Sequence, residues 1–186
     1  MRTTLMAAVL AGTLLLGGCN GDPSADPTPS PSATETPTPT ESPTPELPPE
    51  PQLPVAATKR TDAGAEAFVR YWVDLANYAQ ATGDVTALRS VEHVRCDWCS
   101  GATDFVEETY AKGRHLEGGD SRLGRLRPLP PDHGADWGGF GVLRVAPQRV
   151  LQGESVLEEY PGGRQKLFTY VAWSDGAWSM RWVATP

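Results

Sequence analysis

The sequence predicts an α+β domain, with N-terminal helices (one long, two short) packed on a curved antiparallel sheet. Three observations carry that prediction. All fifteen aromatic residues lie at or after Phe68, whereas twelve of the 18 prolines fall between Pro23 and Pro54. A segment with that much proline and no aromatic ring cannot bury enough apolar surface to offset its chain entropy, so only residues 55–186 can build a core. Within them, apolar spacing of three and four comes first and spacing of two comes later. Helices followed by strands, rather than alternating with them, define α+β. One core of this size excludes repeat arrays, multidomain enzymes and polytopic membrane proteins.

The first helix is expected over Thr61 to Thr82. Thr61 or Asp62 caps it, Gly83 stops it, and Ala65, Phe68, Val69, Trp72, Leu75, Ala76 and Ala79 form its buried face. Tyr71, Asp74 and Tyr78 make a second stripe beside that face. A short helical stretch runs from Asp84 to about Glu92. A third helix, capped by Ser100, carries Ala102, Phe105, Val106, Thr109 and Tyr110 on one side and ends near Gly113. A Gly/Pro-rich loop is expected from Leu116 to Phe140. Strands follow over Val142 to Gln152, interrupted at Pro147, and over Ser155 to Tyr160. Asp175-Gly176 then joins two alternating runs as a two-residue type I′ hairpin. Its register sets Trp173 opposite Trp178, Val171 opposite Met180 and Thr169 opposite Trp182, with Tyr170 across from Arg181 on the other face.

Ahead of the domain, residues 1–18 read as a signal peptide. One arginine precedes an apolar run from Leu5 to Leu16, too short to span a bilayer. Its end, Leu16-Gly17-Gly18-Cys19, resembles the bacterial lipobox, which implies a lipid on the Cys19 sulfur. Residues 19–54 read as a disordered Pro/Thr/Ser-rich stalk. Its Thr-Pro and Ser-Pro dipeptides favour polyproline II, which at about 3.1 Å per residue reaches roughly 110 Å. The whole chain has a formal charge of −7. The stalk carries six acids and no base, so the domain is close to balance, at −2. A balanced domain lacks the clustered cation that nucleic acid requires.

The long helix with Ala67-Phe68-Val69-Arg70-Tyr71-Trp72, two shorter helices and a meander ending Trp173-Ser174-Asp175-Gly176-Ala177-Trp178 resemble the nuclear transport factor 2-like cone. Taken with the lipobox, the stalk and Cys96-Asp97-Trp98-Cys99, the chain resembles an uncharacterised family of actinobacterial lipoproteins. The resemblance implies a cone fold and the extracytoplasmic face of the cell membrane. It implies no activity, because that family has none assigned, and the wider superfamily includes isomerases, dehydratases, and binding and dimerising modules.

Two constellations are candidates for chemistry. Cys96 and Cys99 in an oxidising compartment are first a structural disulfide. A redox pair is the rival reading, and His93 with Cys96 and Cys99 is a weak metal candidate without a fourth ligand. The cone interior is the second: Tyr71, Trp72, Tyr78, Trp173, Trp178 and Trp182 as a ligand cavity, with Asp74 or Tyr71 as weak candidates for a proton-transfer group. A packed aromatic core competes with that reading. No cofactor is expected. Beyond the membrane, a cell-wall or protein partner is expected, or a homodimer through Phe140, Phe168, Tyr170 and Val183.

Overall fold

The computed structural model describes residues 47–186. The leader, Cys19 and the stalk up to residue 46 lie outside the described residues. The described residues form a compact unit with its own hydrophobic core. It opens with a 3-10 turn, Val55–Thr58. Three helices follow: α1 (Asp62–Thr82), α2 (Thr86–Ser90) and α3 (Asp97–Ala111). The strands are β1 (His115–Gly118), β2 (Ser121–Leu123), β3 (Arg127–Leu129), β4 (Trp137–Val145), β5 (Gln148–Gln152), β6 (Ser155–Tyr160), β7 (Gly163–Ser174) and β8 (Ala177–Ala184). The fold is α+β, three helices against curved antiparallel sheets that form a half-barrel.

Helix α1 forms where its sequence says it should. The Thr61 hydroxyl accepts from the Gly64 amide, and Gly83 ends the helix in the left-handed region at φ 78°. Ala65, Phe68, Val69, Trp72, Leu75 and Ala79 are buried, as their spacing predicts. In α2, the Asp84 carboxylate accepts from the Thr86 amide, which holds that acid below its usual range. Helix α3 starts at Asp97 rather than at Ser100, and its buried residues are Cys99, Thr103, Val106 and Thr109. Ala102 and Phe105, expected on the same side as Val106 and Thr109, are exposed whereas those two are buried.

Five strands form one sheet in the order β2-β4-β7-β8, with β3 also pairing β4, and β1-β5-β6 form a second. The chain leaves the first sheet at Ala146-Pro147 and returns at Pro161-Gly162. Proline therefore marks a passage between sheets, not a bulge within one strand. The expected loop from Leu116 to Phe140 is in fact β1, β2, β3 and the first half of β4. Of β4, Trp137, Leu143 and three glycines among Gly138, Gly139 and Gly141 are buried.

The last hairpin turns through Asp175 (φ 53°) and Gly176 (φ 82°), both in the left-handed region a type I′ turn requires. Trp173 faces Trp178 and Val171 faces Met180, as predicted. A bulge at Arg181 then shifts the register, so Trp182 pairs with Tyr170 and Val183 with Thr169. One extra residue flips everything beyond it. Trp182 therefore lies on the outer face, stacked on His133 at 4.2 Å, and Val183 is buried inside. The unpaired edge of β8 is covered by residues 91–93, where Met180 donates to the Val91 carbonyl and His93 donates back to the Met180 carbonyl.

Candidate functional site

The side chains expected to line one cavity are dispersed. Trp178 is buried, and its indole N–H donates to the Lys59 carbonyl while its ring meets Trp173 edge-on at 5.1 Å. Trp178 thus ties the end of the domain's entry turn to the hairpin, with Trp173 packed against its ring. Trp182 is outside. Tyr78 is half-buried, and Tyr71 is buried, its phenol raised by desolvation and then by the charge of Glu50. Asp74 stands exposed, its carboxyl lifted by partial desolvation and drawn back by Arg70. Trp72 is the member of the expected set that lines the cleft between α1, α3 and the sheet. The Asp74 carboxylate is not among the groups that line it.

That cleft lies between α1, α3 and the inner face of the five-stranded sheet, with a volume of about 330 Å³. Trp72, Val73 and Ala76 of α1 form one wall and Leu143, Val145 and Leu167 of β4 and β7 the other. Trp98, Ala102 and Phe105 of α3 stand at the mouth, Trp98 40% and Phe105 39% exposed. The two residues that looked misplaced on α3 are therefore its rim. Gln80 and Gln148 close one end, joined side chain to side chain at 2.5 Å. The Asn77 side chain brackets Ser121, donating to its carbonyl and accepting from its amide, and so fixes β2 against α1.

Glu92 also lines the cleft, although nothing in its local sequence singles it out. Its Oε1 accepts from the Trp72 indole at 3.1 Å and its Oε2 from the Thr103 hydroxyl at 2.9 Å. One carboxyl thereby joins α1, α3 and the segment that seals β8. Burial raises it above the usual glutamate range, against the opposing pull of both donors and of Arg89. A lone acid between a short helix and a cysteine pair has no sequence signature; only the tertiary approach of Trp72 and Thr103 gives it a role.

Cys96 and Cys99 are disulfide-bonded and buried. The bridge joins the N-cap of α3 to its first turn, and the two residues it encloses include Trp98, whose ring meets that of Trp72 at 6.1 Å. A buried bridge lacks the accessible sulfur of a redox pair. It also removes both thiolates from the His93, Cys96, Cys99 set, and the His93 ring lies against the Arg181 guanidinium. Among the described residues no group of three or more His, Cys, Asp or Glu side chains is placed to hold a metal ion. Because the loop is so short, replacing both cysteines by alanine is expected to cost only about 1–2 kcal/mol. The exposed Trp98 should lose its fixed position, measured as a red shift of tryptophan emission well below the unfolding transition.

The chain is a member of a family of unknown function (DUF6318), matched over residues 33–184. No curated protein matches it. Among solved structures it is similar to the intermembrane space region of chloroplast protein ARC6, at 18% identity and a TM-score of 0.51, over 68% of this chain and 98% of that one. It is also similar to a chain named Rd1NTF2_05 bearing five substitutions, at 14% identity and a TM-score of 0.37, over 66% and 99% of the two chains. At such identities the likeness to ARC6 speaks for the fold alone.

Proposed function

We propose that this member of the family is a lipid-anchored protein of the outer face of a bacterial cell membrane. Its domain holds a small, mostly apolar ligand in the cleft under Trp72, Trp98 and Phe105, and it binds rather than catalyses. The observation that carries the reading is the cleft itself: apolar walls, an aromatic rim and one carboxyl at its side. Pockets of this kind use apolar area for affinity and one or two polar groups for orientation. Here both carboxylate oxygens already serve protein donors, so Glu92 is placed to orient a ligand and not to exchange protons with it. The disulfide, together with the absence among the described residues of a helix long and apolar enough to cross a membrane, fits a domain outside the cytoplasm.

Native mass spectrometry of residues 44–186, secreted from the native host, tests the cleft. An adduct released on denaturation is the expected result, and a bare chain with no affinity for the apolar dye N-phenylnaphthylamine would overturn the reading. Ala102→Trp places a ring across the exposed mouth. It is expected to change stability by less than about 0.5 kcal/mol and to weaken dye binding at least tenfold. Lipid anchoring is tested separately, by acyl labelling that Cys19→Ser should abolish.

A further inference from the structure

The five strands β2, β3, β4, β7 and β8 contain no aspartate or glutamate, yet they carry six cations. Arg122, Arg144 and Arg164 are direct partners in register across β2, β4 and β7, on one face of the sheet. Neighbouring strands lie about 4.8 Å apart, so three guanidinium groups stand in one row. Lys166 on β7 and Arg127 on β3 extend the same outward face, opposite Val142 and Phe140. All five cations are exposed, and none takes part in an ion pair among the described residues. Like charges placed directly opposite on a sheet destabilise it, so the fold itself gains nothing from this row. The balancing acids lie largely on α1, α3 and β6. The near-neutral domain is thus a strongly polar one, with a basic outer sheet face.

We infer that this face docks on an anionic lipid bilayer. Three features favour a membrane. The inner face of the sheet wraps the helices, so the outer face is convex and can rest on a plane without being a groove for a chain. Along the same face, beyond Lys166 and Arg127, lie Phe140 against Phe168 at 4.9 Å and then Tyr170 beside Trp182, both packed on His133. Tyrosine and tryptophan are the amphipathic rings that settle at the headgroup level. Cations next to an anionic leaflet bind it in proportion to their number, and binding weakens with salt. The inference rests on the proposed anchoring for its setting: a stalk from Cys19 would keep the domain within reach of the membrane, where a weak surface affinity suffices. The cation row also argues against a face-to-face homodimer through Phe140, Phe168 and Tyr170, and the inward-facing Val183 cannot join such a contact.

The test is cosedimentation of residues 44–186, which lack any lipid, with vesicles of phosphatidylcholine alone or with roughly one third phosphatidylglycerol. Partitioning at least tenfold stronger onto the anionic vesicles, and falling as salt rises, is expected. The triple substitution Arg122→Gln, Arg144→Gln, Arg164→Gln should abolish it with the melting temperature kept. Removing three cations elsewhere, at Arg95, Lys112 and Arg114, should leave it largely intact. Equal partitioning onto both vesicles, or binding that survives the triple substitution, would overturn the inference. So would affinity for soluble polyphosphate without vesicle binding, self-association abolished by the triple substitution, or loss of vesicle binding once residues 20–43 are restored, which would make a polymer, a second copy or the acidic stalk the occupant. Since the probe lacks Cys19, failure here leaves lipid anchoring standing, and an unacylated Cys19 in the cell would leave the vesicle result standing.

Discussion

Gly139→Ala is expected to be among the most damaging single-methyl changes in the domain, whereas Gly141→Ala, two residues along the same strand and on the same face, is expected to be nearly silent. A Cβ at Gly139 would lie 2.4 Å from Cη2 and 2.6 Å from Cζ3 of Trp137, closer than any real contact. The Trp137 ring is only 5% exposed and has nowhere to move. Either the ring leaves its site or β4 separates from β7, where Gly139 pairs with Thr169. Overpacking of this kind costs about 3 kcal/mol, or roughly 10 °C in melting temperature for a domain of this length. At Gly141 the nearest atoms are the tips of Leu126 and Leu123, at 3.1 and 3.2 Å, which can yield by rotation. Their cost is expected to stay under about 1 kcal/mol, offset by the lower entropy of alanine in the unfolded chain. The pair is decided by denaturant midpoints for both variants, and a double mutant adds a check. Trp137→Leu removes the obstructing ring and also a buried indole N–H that finds no partner. If the ring is the obstacle, Gly139→Ala costs much less in that background. Equal losses in both backgrounds would place the problem in the backbone.

The same residues explain what sequence reading could and could not reach. Trp137-Gly138-Gly139-Phe140-Gly141 reads as loop because glycine is depleted from strands. It is a central strand because two aromatic rings, Trp137 on one face and Tyr170 on the other, occupy the space where Cβ atoms would stand. That is a tertiary cause, with no local signature. Helix α1, its caps, its buried stripe and the Asp175-Gly176 turn were legible because each depends on neighbours within a few residues. The bulge at Arg181 was not, and it alone moved Trp182 from the expected cavity to the outer face. Charge misled in a similar way. A domain balance near zero correctly describes the sum, but the acid-free sheet appears only when strand pairing brings Arg122, Arg144 and Arg164 together. The cleft was half legible: Trp72 belonged to the predicted set, whereas its partners Glu92, Trp98 and Phe105 came from segments read as a helix end, a cysteine pair and one side of the third helix.

Glu92 supplies the second large effect, and here the two obvious substitutions should move in opposite directions. Glu92→Ala leaves the Trp72 indole and the Thr103 hydroxyl without an acceptor, in a site where Thr103 is fully buried. Two orphaned donors cost about 2–4 kcal/mol together. Glu92→Gln keeps the shape and loses the charge. The amide oxygen still accepts from Trp72, and the amide nitrogen donates to the Thr103 oxygen once that hydroxyl rotates, since threonine both donates and accepts. The glutamine variant should therefore match or exceed the parent at neutral pH. Their pH profiles carry the argument further. Burial is the largest influence on Glu92 and raises its acid constant in the folded state. The folded state then holds this proton to higher pH than the unfolded chain does. Stability from this group is present below the ordinary glutamate value and declines as pH rises through the folded value. Unfolding free energies of parent and Glu92→Gln should accordingly diverge as pH climbs above the ordinary glutamate range, with the parent losing, and then run parallel once both states are ionised. Curves parallel throughout that window would mean that the two donors fully compensate the burial, and that the carboxylate is at home in the wall of the cleft.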